Sequence, residues 1–136
     1  MQEHQFENVV TYLKEAVPTL QGIYLFGSMA RGNDRSDSDV DIALLTEKPV
    51  EKIELFNLSQ KLSQLLHREV DLIDLLSAST ILRFQIISTA KRIYCKSEYQ
   101  CAYFGMLAYS MYARFQEERH QLLDAIYQKG RIINDR

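Results

Sequence analysis

Two aspartates one residue apart, Asp39 and Asp41, flank Val40 at the start of an apolar run, Val40-Asp41-Ile42-Ala43-Leu44-Leu45. Alternate strand residues point to one face, so both carboxylates project together from Cα atoms about 6.6 Å apart, while Val40 faces the core. Two such charges repel, and a shared cation would stabilise both. Oxygen-only ligands favour magnesium, which keeps part of its water shell and recruits phosphates. A further acid lies in Glu69-Val70-Asp71-Leu72-Ile73-Asp74-Leu75, a run patterned like the strand around Asp41. Asp71 and Asp74 face opposite ways in a regular strand, so only one can join the cluster. Asp71, nearer the strand start, is the expected member, and Asp74 is expected to be a solvated acid at the strand end. Three carboxylates around two metal ions about 3.5–4 Å apart would activate a nucleophile and stabilise a leaving group in an in-line displacement.

Gly27-Ser28 offers the complementary half. It follows the short apolar run Gly22-Ile23-Tyr24-Leu25-Phe26, and a glycine there lets backbone approach a phosphate without a Cβ clash. The Ser28 hydroxyl and neighbouring N–H groups can donate to phosphate oxygens, helped by the N-terminus of a helical turn near Ser28 to Arg31. Arg31 and Arg35 could neutralise further charge, although exposed loop arginines are common. The GxxxxGK[ST] spacing is absent, which argues against a Walker-type NTPase.

The elements that must position these residues follow from hydrophobic period. Phe6, Val9, Val10, Leu13 and Val17 share one face of a helix over about 5–17, which Pro18 ends. Strands are predicted at 22–26, 40–45, 69–75 and 92–95, with a polar loop over 27–38. After Pro49, residues Ile53, Phe56, Leu58, Leu62, Leu65 and Leu66 recur with helical spacing. Ser77 or Ser79 could cap a helix running to about Ala90. A long helix runs from Ser97 to Lys129, closed by Gly130. Short strands with helices on one face suggest an α+β fold or an α/β fold with a mixed sheet. No repeat or linker interrupts the pattern, so one domain over 1–136 is expected, with a core over about 1–96 and a C-terminal helix over about 97–130.

Composition excludes several classes. The 136 residues are 46% hydrophobic and 25% charged, the balance of an ordinary globular domain rather than a disordered tail or fibre. The net charge is −2, with no basic stripe of the kind that grips long nucleic acid by its phosphates. No stretch approaches the ~20 apolar residues of a membrane span. The N-terminus lacks the layout of a signal peptide, so a cytoplasmic location is expected. Cys95 and Cys101 are separated by five residues, which matches neither a redox nor a paired zinc-ligand pattern, and they are expected to be reduced packing residues.

Gly27-Ser28, ten residues, and then Asp39-Val40-Asp41 together resemble the GSx10DxD signature of the polymerase-β-like nucleotidyltransferases, above all their minimal (MNT) branch. The strand–loop–strand context and the later strand acid Asp71 fit it as well, and the element order matches over about 1–96. The resemblance implies that Asp39 and Asp41 bind two Mg²⁺ and that Asp71 completes one site and helps activate the attacking hydroxyl. Gly27-Ser28 would hold the β/γ-phosphates of the nucleotide, with Arg31 as a further contact. A hydroxyl then attacks the α-phosphate, nucleoside monophosphate is transferred and pyrophosphate leaves. A chain of this length resembles the antitoxins of HEPN–MNT toxin–antitoxin pairs, which implies transfer of AMP from ATP to a tyrosine hydroxyl of a HEPN ribonuclease toxin. Two rivals stand beside it: a small-molecule transferase acting on an aminoglycoside-like acceptor, and a non-enzymatic antitoxin that works by occlusion.

The long helix carries Tyr99, Tyr103, Phe104, Leu107, Met111 and Tyr112 at helical spacing. Such a stripe is ordinarily core or interface, and tyrosines suit an interface because an apolar body carries a polar tip. The helix is therefore expected to dock on a second subunit or on the toxin. Arg114 and His120 superficially resemble the R-x4–6-H ribonuclease motif of HEPN proteins, but they lie in a charged segment with Glu117, Glu118 and Arg119 and read as a solvated face. His4 and His67 are expected to be surface residues in helices.

Overall fold

In the computed structural model, which describes residues 3–27 and 39–134, eight elements alternate. They are α1 (Glu3–Ala16), β1 (Leu20–Phe26), β2 (Val40–Thr46), α2 (Lys52–Leu66), β3 (Val70–Asp74), α3 (Thr80–Thr89), β4 (Lys91–Cys95) and α4 (Glu98–Asn134). The strands form one sheet in the order β3-β2-β1-β4. β1 is antiparallel to both β2 and β4, whereas β2 and β3 are parallel. A parallel pair needs a crossover, which α2 supplies.

The sheet is covered on both faces, not one. Alternation along β2 sends Val40, Ile42 and Leu44 into a core closed by Val9 and Leu13 of α1 and by Leu58, Leu62 and Leu66 of α2. Ala43 and Leu45 enter a second core with Tyr24, Ile86 of α3, and Cys101 and Phe104 of α4. A central strand that is apolar at every position from Ile42 to Leu45 requires cover on both sides.

Within α2 the inward stripe is Leu58-Leu62-Leu66, with Leu55 at its edge, while Ile53, Phe56 and Leu65 are exposed. At about 100° per residue, Ile53 falls nearly opposite that stripe, so helical recurrence alone overcounts the buried residues. His67 lies just beyond α2 as its left-handed cap, at φ 54° and ψ 36°. Ser79 caps α3 by accepting the Leu82 N–H at 3.1 Å, whereas Ser77 donates to Asp74 instead. Gly130 does not end α4; it is helical, and the helix continues to Asn134. Cys95 and Cys101 are not two separate thiols. The reversal through Lys96 and Ser97 brings their Cα atoms to 6.6 Å, and the sulfurs pair as a disulfide between β4 and α4. A linear spacing cannot show that reversal.

Candidate active site

The site lies where β1 ends and the parallel strands β2 and β3 begin. Phe26 pairs with Asp41 across β1 and β2, and Asp41 pairs with Asp71 across β2 and β3. Val40 N–H donates to the Glu69 carbonyl at 2.9 Å, which carries the ladder back to Asp39. Because Val40, Ile42, Val70 and Leu72 all pack into the α1–α2 core, Asp41 and Asp71 take the opposite face. Asp39, one residue before β2, has the same parity. Asp41 is half-buried, while Asp39 and Asp71 are open to solvent. The three acids expected from the sequence therefore lie at one sheet end, with Asp41 and Asp71 as direct neighbours across β2 and β3.

Gly27 is built against them. Its φ is +69°, and a Cβ added there would overlap Oδ2 of Asp41 and stand 3.2 Å from Cγ. Both the left-handed backbone and the close approach favour glycine. The backbone leaving β1 thus runs directly beside the Asp41 carboxylate. Ser28, Arg31 and Arg35 lie outside the described residues, as does the helical turn expected near Ser28.

Asp74 has a different role from the one expected of it. It is 4% exposed, and its carboxylate accepts from Val50 N–H at 2.9 Å, from Leu76 N–H at 3.1 Å and from Ser77 Oγ at 2.9 Å. A buried carboxylate with three donors is a structural tie between the ends of β2 and β3, not a solvated acid.

Among the described residues no three His, Cys, Asp or Glu side chains converge closely enough to hold a metal ion. The donor chemistry nonetheless fits magnesium, since the acids sharing this face are all hard oxygen ligands. Two residues that the sequence did not single out also bear on the site. Glu69 lies two residues before Asp71 and shares its parity, and its carbonyl accepts the Val40 N–H at 2.9 Å. Ser63 looks like an ordinary polar position in α2, yet it bonds to the first residue of β3.

A cavity of about 680 Å³ lies at the other end of the sheet, between Gln21, Thr46 and Leu76 and the first turns of α4. A shallower one of about 420 Å³, lined by Ser63, His67, Arg68 and Glu69, borders the start of β3. The R-x5-H pair forms no joint site: Arg114 donates to Glu118 at 3.2 Å and His120 faces Asp124 at 3.6 Å.

A family model described as polymerase beta, nucleotidyltransferase, matches residues 7–99. The chain is 36% identical over 126 residues to the protein adenylyltransferase MntA of Shewanella oneidensis, covering 93% of this chain and 90% of that protein. A toxin–antitoxin crystal structure with AMP-PNP superposes with a TM-score of 0.80 at 35% identity, covering 93% of this chain and 98% of the other. A structure of the tri-AMPylated HEPN toxin of Shewanella oneidensis in complex with its MNT antitoxin superposes with a TM-score of 0.78 at 34% identity, with the same coverage.

Proposed function

Because this chain belongs to the polymerase-β nucleotidyltransferase family, we propose that it is an antitoxin that works as a protein adenylyltransferase, moving AMP from ATP onto a tyrosine hydroxyl of a cognate HEPN ribonuclease toxin. The observation that carries this is the joint placement of Gly27, Asp41 and Asp71 at one sheet end, in a chain similar over nearly its whole length to such an enzyme. The similar complexes with AMP-PNP and with an AMPylated toxin support ATP as donor and a HEPN protein as acceptor.

The chain's residues divide the work as follows. Asp39 and Asp41 would hold two Mg²⁺, with Asp71 completing one of the sites. When bound, magnesium supplies positive charge at the triphosphate and at the departing pyrophosphate. Gly27 brings the backbone leaving β1 to the phosphates, and Ser28 and Arg31 would donate to their oxygens. Asp71 takes the proton of the tyrosine hydroxyl on a carboxylate oxygen as the hydroxyl oxygen bonds to the α-phosphorus. The bond between the α-phosphorus and the bridging oxygen breaks, and pyrophosphate leaves with that electron pair.

The toxin needs a broad contact, and α4 offers one: Tyr99, Tyr103, Met106, Leu122 and Ile126 are exposed along it. This helix would dock on the toxin or on a second copy of the chain. The whole of 1–136 acts as one transferase domain in the cytoplasm, where ATP is available.

The deciding experiment is intact mass spectrometry of the HEPN partner co-expressed with wild type or with Asp39→Ala/Asp41→Ala. A gain of one AMP mass or a multiple, seen only with wild type, is expected. A partner that is silenced without any gain would replace transfer by occlusion.

A further inference from the structure

We infer that Ser63 is a positioning residue for Asp71: it clamps the peptide that sets the start of β3 and so holds Asp71 opposite Asp41. The inference rests on the role given to Asp71 above. Among the described residues β3 is an edge strand, held by a ladder on one side, and its outward N–H groups would ordinarily go to water. The peptide joining Glu69 and Val70 turns its carbonyl toward β2, where it accepts the Val40 N–H at 2.9 Å. Its N–H therefore points outward, and there Ser63 Oγ accepts it at 3.0 Å. The peptide one residue before Asp71 is thus gripped from both sides.

The other bonds of Ser63 tie this grip to the end of α2. Its hydroxyl donates to the Ser59 carbonyl at 2.9 Å, which leaves the oxygen's lone pairs turned toward Val70. Its own carbonyl accepts the N–H of His67, and that of Arg68 at 3.3 Å. The left-handed His67 then reverses the chain into β3. A single serine therefore ends the crossover helix and starts the strand that carries the third acid. A one-residue slip of β3 would turn Asp71 to the opposite face, so an anchor one residue before it has direct consequences for the site.

The test compares Ser63→Ala, Ser63→Thr, Asp71→Asn and Ser79→Ala in the full chain. It uses amide hydrogen exchange at Val70, Mn²⁺ binding in the presence of AMP-PNP, and AMP transfer to the co-expressed HEPN partner. Ser63→Ala is expected to lose Val70 protection and to weaken Mn²⁺ binding and lower transfer by up to about tenfold, the scale of one hydrogen bond. Ser63→Thr, which keeps the hydroxyl, stays within about twofold of wild type by the same argument. Ser79→Ala removes a cap elsewhere and should leave Mn²⁺ binding unchanged, separating position from general stability. If Ser63→Ala binds Mn²⁺ and transfers AMP like wild type while Asp71→Asn does not, the clamp is overturned alone. Failure of Ser63→Thr to restore Val70 protection overturns it too. If Asp71→Asn itself behaves as wild type, the role of Asp71 falls and the clamp falls with it.

Discussion

Two residues separate Asp71 from Asp74, and strand alternation turns their side chains to opposite faces of the sheet. One is open to solvent beside Asp41; the other is buried under three donors. Their substitutions should separate cleanly. Asp71→Asn is expected to lower AMP transfer about 10²-fold or more and to leave unfolding free energy within about 0.5 kcal/mol of wild type, because it is a surface change. Asp74→Ala strands the N–H groups of Val50 and Leu76 and should cost about 2–3 kcal/mol in urea unfolding, while the folded fraction still transfers AMP. Gly27→Ala combines both effects. A left-handed alanine costs about 1–2 kcal/mol, and its Cβ would also push the Asp41 carboxylate aside. Thermal unfolding and transfer activity should therefore fall together.

Helix ends show the same logic at the scale of elements. α3 starts on the Ser79 side-chain cap, and Ser79→Ala should cost about 1 kcal/mol in chemical unfolding. α2 starts on Glu51, which makes no side-chain cap bond although its backbone is extended, φ −64° and ψ 146°. That backbone is already the one a capping serine uses. Glu51→Ser is expected to raise stability by about 0.5–1 kcal/mol, read from the same unfolding midpoint. At its other end α2 finishes without glycine, on His67, because the carbonyl of Ser63 and the tight entry into β3 hold the left-handed turn. α4 departs from expectation in the opposite sense: Gly130 stands where a stop is favoured, yet the helix runs on to Asn134. A glycine permits a left-handed cap without requiring one.

Across the whole molecule, α4 divides into two parts. Cys101, Phe104 and Ala108 are buried against the sheet and α3, and Phe84 stacks on Tyr112 with ring centroids 3.8 Å apart. Beyond this point Leu122, Leu123, Ile126 and Tyr127 are exposed. Tyr24 sits beneath the anchored part, 6% exposed. Burial pushes its phenol above the usual value of 10.0, with Arg92 opposing and Glu98 adding to the shift. A phenol harder to ionise folded than unfolded stabilises the fold fully below the unfolded value. That contribution is lost as pH rises from the unfolded value through the raised folded one. Unfolding temperature should thus decline above about pH 10, and Tyr24→Phe should flatten that decline in a pH series of melting scans.

The sequence by itself determined most of the elements and the pattern of acids on which the proposed chemistry rests. Asp39-Val40-Asp41 at a strand start, with ten residues between it and Gly27-Ser28, is a local pattern, and the parity that separates Asp71 from Asp74 is equally local. Both depend only on strand geometry and survive any arrangement of the rest of the chain. Tertiary structure alone decided which strand neighbours which. It placed Asp71 opposite Asp41 and made β3 an edge whose outward N–H falls to Ser63. It also buried Asp74, exposed Ile53 and joined Cys95 to Cys101. Each of those outcomes depends on where the chain reverses, on which strand lies beside which, or on the rotation of a helix about its own axis. Such outcomes are set by packing the two faces of one sheet, which no local spacing encodes.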